Sequence, residues 1–141
     1  MQVRAYLNFD GRCEEALEFY RRTLGAEVEM MLRFKDSPEP CASGTMPPGS
    51  ENKVMHCSFR IGGTTLMASD CHSSGKPAFQ GISLAINPPD EAKAKQVFGA
   101  LADGGNVQAP LTKTFFSPAF GVVCDRFGVT WMIHVEGPQN K

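Results

Sequence analysis

The order of predicted elements repeats along the chain, and this repetition restricts the fold more than any other feature of the 141 residues. Each half of the sequence predicts a strand, then a helix, then three strands. Glu15-Ala16 and Glu91-Ala92 occupy equivalent places in the two helices, which indicates an internal repeat of about 76 residues. A repeat of this length suggests that one supersecondary unit is duplicated, each copy covering the exposed sheet face of the other.

The first half carries clear start and stop signals for its elements. Strand formers fill Val3 to Phe9, and Asp10-Gly11 stops that strand ahead of a helix. The helix ends at Gly25, since glycine readily supplies the left-handed residue that closes a helix. Glu18 and Arg22 are four residues apart on its polar face, which predicts an ion pair. The three later strands are predicted at about 27–34, 54–61 and 64–69, with Gly62-Gly63 as the hairpin turn between the last two.

The second half repeats this order. Its first strand is "GISLAIN", and Pro88-Pro89-Asp90 opens a helix that Gly104-Gly105 closes. After the helix, "GGNVQAP" leads into a short strand, "TFFSPAFGVVCDRF" holds a strand up to about Cys124, and "VTWMIHV" is the last strand. We therefore predict an α+β single domain over residues 1–141, with one module at about 1–71 and the other at about 78–137.

Residues 35–53 separate the second and third predicted strands. This segment contains four prolines and two glycines, so it can form neither a long helix nor a central strand. A loop of this length in a compact domain is often a lid or a binding loop, and disorder is the equally common alternative. The sequence leaves these two roles open.

Charge and cysteine content exclude several classes of protein. The 14 basic and 15 acidic residues are interspersed, so we predict no surface for nucleic acid or for an anionic membrane. No apolar run approaches the roughly 20 residues that span a bilayer. The five cysteines are scattered without a CxxC pair, and the sequence shows no N-terminal signal segment. These features favour free thiols and a cytoplasmic protein.

Two motifs resemble a known superfamily. The first-half motif "EEALEFYRRTLGAEV" and the second-half motif "FGVVCDRFGVTWMI" are similar to the two module signatures of the vicinal oxygen chelate superfamily. That superfamily includes glyoxalase I, bleomycin resistance proteins and extradiol dioxygenases. With "LMASD", "SGK" and "TFF", the chain is most similar to the PhnB-like subfamily. The resemblance implies two βαβββ modules that form an incomplete barrel around a cleft, and assembly into a homodimer.

The resemblance also locates the positions of the superfamily's divalent metal ligands. These fall on Ala5, Gly81 and Met132, and the remaining one falls on Met67 or Ser69. At least three of the four lack the nitrogen or oxygen donors that such metals prefer. We therefore predict a protein that binds an apolar or aromatic small molecule in its cleft, without the superfamily metal and without a cofactor.

Candidate ligand contacts follow from strand parity and residue type. His134 shares a strand face with Met132, and aromatic or methionine side chains on a concave sheet would form an adaptable apolar pocket. Asp70-Cys71-His72 ends a strand, where adjacent side chains point apart and cannot form a nucleophile pair. The candidates are Tyr6, His56, Met67, Asp70, Phe116, Phe120, Met132 and His134.

Two alternative functions remain open from the sequence. One is a metal-dependent lyase, isomerase or dioxygenase that uses displaced ligands such as His56, Asp70 and His134. The other is a purely structural or partner-binding dimer. PhnB-like chains have also been labelled demethylubiquinone methyltransferases, but this sequence has no glycine-rich loop after a parallel strand to hold a nucleotide-like cofactor.

Overall fold

The computed structural model describes residues 1–36, 50–70 and 79–137, and it divides the chain into two compact units, Met1–Pro77 and Ala78–Lys141. The first unit contains β1 (Tyr6–Asn8), α1 (Cys13–Leu24), β2 (Glu27–Arg33), β3 (Val54–Ile61) and β4 (Thr64–Ser69), with short 3-10 helices at Phe34–Asp36 and Ser50–Asn52. The second contains β5 (Ser83–Ile86), α2 (Glu91–Ala102), β6 (Asn106–Thr112), β7 (Ala119–Cys124) and β8 (Thr130–Val135). Most of the predicted loop at 35–53, and Cys71 and His72, lie outside the described residues.

The two sheets have the same topology. Their strand orders are β1-β4-β3-β2 and β5-β8-β7-β6. In each sheet the first strand of the unit pairs in parallel with the last, and the other neighbours are antiparallel. The predicted α+β fold, with a β-α-β-β-β order in each half, is confirmed. Neither helix of the described residues is long and apolar enough to cross a membrane.

The helix of the first unit packs on one face of its sheet. Cys57 and Phe59 of β3 are fully buried on that face, and the Phe59 ring stacks on Tyr20 of α1 with centroids 6.4 Å apart. His56 and Ser58 alternate with them, so they lie on the opposite face. Full burial of an aromatic side chain of this kind stabilises the fold by about 2–3 kcal/mol. The buried residues of α1 are Cys13, Ala16, Leu17, Phe19 and Tyr20.

The helix of the second unit packs on its sheet in the same way. Ala94, Val97 and Leu101 of α2 are buried, and Asp90 caps the helix by accepting a hydrogen bond from the Lys93 N–H at 2.8 Å. Phe98 of the same helix is half-buried. The structure aligns Cys13 with Glu91 as the first residues of the two helices, two residues away from the predicted match of Glu15 with Glu91.

A glycine permits the close approach of α2 to its sheet. A Cβ atom at Gly121 of β7 would lie 2.7 Å from Cε2 of Phe98 and 2.9 Å from Cα of Leu111. The second contact is with backbone, which cannot move aside as a side chain can. Any larger residue at Gly121 would therefore push β6 and α2 away from β7.

Ion pairs on α1 differ from the predicted one. Glu18 pairs with Arg21, whose Nε lies 2.9 Å from Oε2, rather than with Arg22. Residues three and four positions apart both lie next to each other on a helix surface, so sequence spacing alone could not choose between the two arginines. A second pair joins Glu14 of α1 to Arg33 of β2 at 2.6 Å, and this guanidinium lowers the pKa of the Glu14 carboxyl below its usual value.

Asp70, directly after β4, connects three backbone segments of the first unit. Its Oδ1 accepts hydrogen bonds from the N–H groups of Gly11 at 2.7 Å and Cys13 at 2.9 Å, and its Oδ2 accepts one from Val54 at 3.1 Å. The Cys13 N–H is at the start of α1, where the helix itself offers no acceptor. Arg12, at the N-cap position, makes no side-chain cap, so Asp70 supplies it from a distant part of the chain.

We expect Asp70→Ala to lower the free energy of unfolding by about 3 kcal/mol, because it would leave three backbone N–H groups without their carboxylate acceptor. Asp70→Asn keeps one acceptor oxygen and should cost less. Urea denaturation followed by circular dichroism measures both values. The matched control is Asp36→Ala, since Asp36 is exposed and its carboxylate accepts from the Arg33 N–H. Equal losses for Asp70→Ala and Asp36→Ala would contradict the structural role of Asp70.

Candidate functional site

The face of the first sheet that α1 does not cover brings three predicted site residues together. Tyr6 of β1 and Met67 of β4 are register partners. The Tyr6 hydroxyl lies 2.9 Å from Nδ1 of His56 on β3, and the two ring centroids are 5.6 Å apart. Tyr6 is 50% exposed. Tyr6 and His56 thus form a hydrogen-bonded phenol–imidazole pair, which we call the tyrosine–histidine pair. The thioether of Met67 lies beside it.

Two apolar residues beside this pair were not predicted. Met30 pairs with Ser58 in the row of Met67, and Leu32 pairs with His56. Both are exposed. An irregularity in the register between Val28 and Met30 shifts the alternation along β2. Strict two-residue parity could not place Met30 and Leu32 on this face, because a bulge adds a residue to one strand.

Polar groups at the predicted metal-ligand positions of the first unit form hydrogen bonds with the backbone of the same unit. Ala5 lies just before β1, and its carbonyl oxygen accepts a hydrogen bond from the Met67 N–H at 3.0 Å. The side chain in the row of Met67 belongs to Tyr6, one residue further on. Ser69 is almost completely buried, and its hydroxyl donates to the Met55 carbonyl at 2.8 Å.

Asp70 differs from the other candidates of the first unit in its surroundings. It is fully buried, and both of its oxygens accept backbone hydrogen bonds near the start of α1. A ligand or metal would have to replace those bonds to reach the carboxylate. The structure therefore assigns Asp70 a part in holding the unit together.

The uncovered face of the second sheet gathers the other four predicted residues. Phe120 of β7 and His134 of β8 are register partners with ring centroids 6.3 Å apart. The Phe116 ring lies 5.2 Å from Phe120 and 5.9 Å from His134, and Phe115 packs edge-on against Phe116 at 5.1 Å. We call Phe115, Phe116, Phe120 and His134 the aromatic cluster. Met132 lies two residues before His134 on the same face of β8.

Ser117 fixes the turn that presents the aromatic cluster. It is buried, and its hydroxyl lies 2.5 Å from the Val135 carbonyl at the end of β8 and 2.8 Å from the Ala119 carbonyl. The Thr114 hydroxyl accepts from the Ser117 N–H at 3.1 Å. These bonds close a short turn around Phe115 and Phe116. Sequence reasoning missed Ser117, since a serine beside proline signals a turn but not which strand it will contact.

The turn before β8 has a structural role. Asp125 is buried, and its Oδ1 accepts from the N–H groups of Phe127 at 2.9 Å and Val129 at 3.1 Å. Its Oδ2 accepts from Nε1 of Trp131 at 2.9 Å. Trp131 and Phe127 are both buried, so neither belongs to the aromatic cluster.

Among the residues that the structure describes, no three histidine, cysteine, aspartate or glutamate side chains are grouped so that they could hold a metal ion. The predicted ligand position Gly81 lies before β5, and the β5 residue paired with Met132 is Ala85. Neither Gly81 nor Ala85 has a side-chain donor.

A surface groove of about 450 Å³ lies in another part of the second unit. It is formed by α2 together with the end of β6 and the start of β7, and it contains none of the predicted site residues. Its lining residues are Glu91, Lys95, Phe98, Gly99, Leu111, Thr112, Lys113, Pro118 and Ala119.

The family model described as 3-demethylubiquinone-9 3-methyltransferase matches residues 1–134. The chain belongs to this PhnB-like family. The family has the vicinal oxygen chelate fold, so the resemblance seen in the two module motifs is confirmed. The duplicated β-α-β-β-β units with their uncovered sheet faces are consistent with that membership.

The similarity to other proteins extends over nearly the whole length of this chain. Protein YjdN of Escherichia coli K12 is 37% identical in an alignment of 146 positions that covers 99% of this chain and 98% of YjdN. The crystal structure of PA1353 from Pseudomonas aeruginosa is 42% identical with a TM-score of 0.82, covering 96% of this chain and 98% of PA1353. A PhnB protein from Bacillus cereus is 28% identical with a TM-score of 0.78, covering 96% and 99% of the two chains.

Proposed function

We propose that this PhnB-like protein binds an apolar or aromatic small molecule through its aromatic cluster, without the divalent metal used by enzymes of the superfamily. The observation that carries the proposal is the spacing of Phe116, Phe120 and His134, whose ring centroids lie 5.2 to 6.3 Å apart on the face that α2 leaves uncovered. These rings are only partly buried within the unit.

The geometry of the cluster suits a flat or aromatic ligand. Phe116 and Phe120 meet at 73°, so each presents an edge or a face to a ring placed between them. Met132 adds a polarizable thioether that can adapt to the shape of a ligand. His134 adds a hydrogen-bonding nitrogen to an otherwise apolar lining. Apolar surfaces with a few polar groups are typical of small-molecule sites.

The tyrosine–histidine pair of the first unit supports binding of a ligand with a polar substituent. The Tyr6 hydroxyl and the His56 ring share one hydrogen bond, and both a hydroxyl group and an imidazole ring can donate and accept hydrogen bonds. Exposed Met30 and Leu32 border the pair. A phenol, quinone or carbonyl oxygen could be bound by such a pair while its hydrocarbon part contacts the adjacent thioether.

The donor chemistry supports binding without a metal. Ala5, Gly81 and Met132 offer no nitrogen or oxygen side-chain donor at the family's ligand positions. The Ser69 hydroxyl and both Asp70 oxygens are engaged by the backbone. Three protein ligands are usual at a catalytic zinc site. The alternative of a lyase, isomerase or dioxygenase would need His56 or His134 to act with donors other than these.

The methyltransferase activity in the family's description is not part of this proposal. A nucleotide-like cofactor commonly places its anionic group at a helix N-terminus that follows a strand. In the first unit the N–H groups of Gly11 and Cys13 at that position donate to Asp70. The chain thus fills this anion site with its own carboxylate, and the sheet order β1-β4-β3-β2 differs from a doubly wound sheet.

We further propose a cytoplasmic homodimer. Several large apolar side chains are exposed in the single chain, including Phe115 at 100% and Ile82 at 68%. Exposed apolar side chains of this size favour association with a second surface. The described cysteines, Cys13, Cys57 and Cys124, are free thiols, which favours a reducing compartment.

Ligand binding can be tested with the fluorescent probe 8-anilinonaphthalene-1-sulfonate. We expect saturable binding, and we expect Phe116→Ala and Phe120→Ala to raise the dissociation constant by about tenfold or more, which equals a loss of about 1.4 kcal/mol. Fluorescence titration measures both quantities. Circular dichroism and thermal denaturation show whether each variant keeps its fold.

Phe98→Ala is the matched control, because Phe98 lines the α2 groove rather than the aromatic cluster. It should leave the dissociation constant of the probe within about twofold, a difference of about 0.4 kcal/mol. Loss of binding in Phe98→Ala with no change in Phe116→Ala would place the probe in the groove and contradict the proposal.

Metal independence is tested by thermal denaturation of untagged protein with Zn²⁺, Ni²⁺, Mn²⁺ or Fe²⁺. Occupation of a site at 100 times its dissociation constant would add about 2.7 kcal/mol, so we expect no comparable rise in Tm with any ion. Stoichiometric metal in the purified protein, lost in His56→Ala or His134→Ala, would support the metalloenzyme alternative.

Oligomeric state is measured by sedimentation velocity at micromolar concentration. We expect a dimer, because burial of side chains such as Phe115 and Ile82 favours association. A species of monomer mass across the concentration range would contradict the homodimer.

A further inference from the structure

Two thiols lie in contact inside the first unit. Sγ of Cys13 and Sγ of Cys57 are 3.7 Å apart, and both residues are fully buried. Cys13 is the first residue of α1, and Cys57 lies in the middle of β3. They are 44 positions apart in the sequence, with no CxxC spacing, so the fold and not a local motif brings them together.

We propose that Cys13 and Cys57 form a reversible oxidation site, at which a small hydroperoxide converts the two thiols into an intrachain disulfide that joins the start of α1 to β3. This site is separate from the aromatic cluster, and it does not depend on the proposed binding function. The proposal rests on the contact of the two sulfurs and on the way their backbones are held.

The backbone around both cysteines keeps the sulfurs close. The Cys13 N–H donates to Asp70 at 2.9 Å, and Asp70 also accepts from Val54 at the start of β3. Cys57 is paired with Ala68 of β4 and Met31 of β2. A disulfide needs the sulfurs to close from 3.7 Å to about 2.05 Å, a change that side-chain rotation can begin without separating α1 from the sheet.

The two thiols differ in acidity. The hydrogen bond with Cys13 lowers the pKa of the Cys57 thiol, while the same contact, together with burial, raises that of Cys13. The thiolate is the form that attacks peroxides, so Cys57 is the residue expected to react first. Cys13 then acts as the resolving thiol.

The chemical steps balance. The Cys57 thiolate attacks the peroxide O–O bond and forms a sulfenic acid, releasing water from hydrogen peroxide or an alcohol from an organic hydroperoxide once a proton is taken up. The Cys13 sulfur then attacks the Cys57 sulfur, loses its proton, and expels hydroxide, which leaves as water. Overall, two thiols give two electrons and two protons to the peroxide, and one S–S bond forms.

Complete burial favours this outcome over other oxidation products. Bulky reagents such as glutathione disulfide cannot reach Cys57 in the folded unit, whereas hydrogen peroxide is small enough to enter during brief openings. A sulfenic acid formed there has the Cys13 sulfur as an immediate neighbour. Cys124 is half-buried in the other unit, so it provides an internal comparison.

Peptide mapping of the full chain tests the proposal without any substitution. The protein is treated with hydrogen peroxide, its remaining thiols are alkylated in denaturant, and it is digested with trypsin. Cleavage after Arg12, Arg21, Lys53 and Arg60 isolates the two cysteines in peptides 13–21 and 54–60. We expect these peptides to be joined, with loss of two hydrogens, and to separate on treatment with dithiothreitol.

A second measurement tests the structural consequence. A disulfide that closes so long a loop should raise Tm by about 5 °C or more relative to the reduced protein. Cys124→Ser should keep both the linked peptides and the Tm rise, whereas Cys57→Ser should lose both. Absence of the linked pair, linkage mainly to another cysteine, or irreversible oxidation of Cys57 without linkage would each overturn the proposal.

Discussion

The first unit depends on one buried carboxylate. Asp70 accepts hydrogen bonds from the turn after β1, the first residue of α1 and the first residue of β3. A buried charge is tolerated where several polar groups solvate it, and here three backbone N–H groups do so. The same bonds set the position of α1 over Cys57 and Phe59, which leaves His56, Met67 and Tyr6 on the opposite face. The arrangement of the candidate site thus follows from a residue that is not part of it.

In the second unit, a different buried aspartate accepts hydrogen bonds from the backbone. Asp125 lies in the turn before β8 and accepts two backbone N–H groups and the indole N–H of Trp131. It fixes the direction of β8, so that Trp131 is buried while Met132 and His134 lie on the uncovered face. The two units therefore share one topology, but the buried aspartate that binds backbone N–H groups stands at a different place in each unit.

The uncovered faces of the two units differ more than their cores. If Met67 is aligned with Met132, Ser58 corresponds to Val122, and His56 corresponds to Phe120. One copy thus carries a hydrogen-bonded imidazole where the other carries a phenyl ring. Residues on these faces contribute little to the packing of the helices, so they can change without loss of the fold.

Local sequence signals predicted the helices and strands, whereas contacts between residues far apart in the sequence set the positions of the candidate site residues. Gly25 and the Gly62-Gly63 turn ended their elements as predicted, since both require backbone conformations that glycine adopts easily. The bonds of Asp70 span up to 59 positions, and those of Ser117 reach β8, so no window of sequence contains them. Two-residue parity also failed to predict which residues of β2 share a face, because the irregularity lies in the pairing of β2 with the distant strand β3.

In the first unit, the residues that pack against α1 and the candidate site residues lie on opposite faces of the sheet. The helix-side face contains Cys13 and Cys57 in contact, shielded from solvent by α1, while the opposite face presents Tyr6 and His56 to solvent. The proposed oxidation would cross-link α1 to β3, whereas the proposed ligand contacts, Tyr6 and His56, lie on the face that α1 does not cover. Since β3 carries both Cys57 and His56, adjacent residues on opposite sides, a disulfide could alter the second face only by moving the β3 backbone. That backbone is held by pairing with both β2 and β4, so the two chemistries are largely independent.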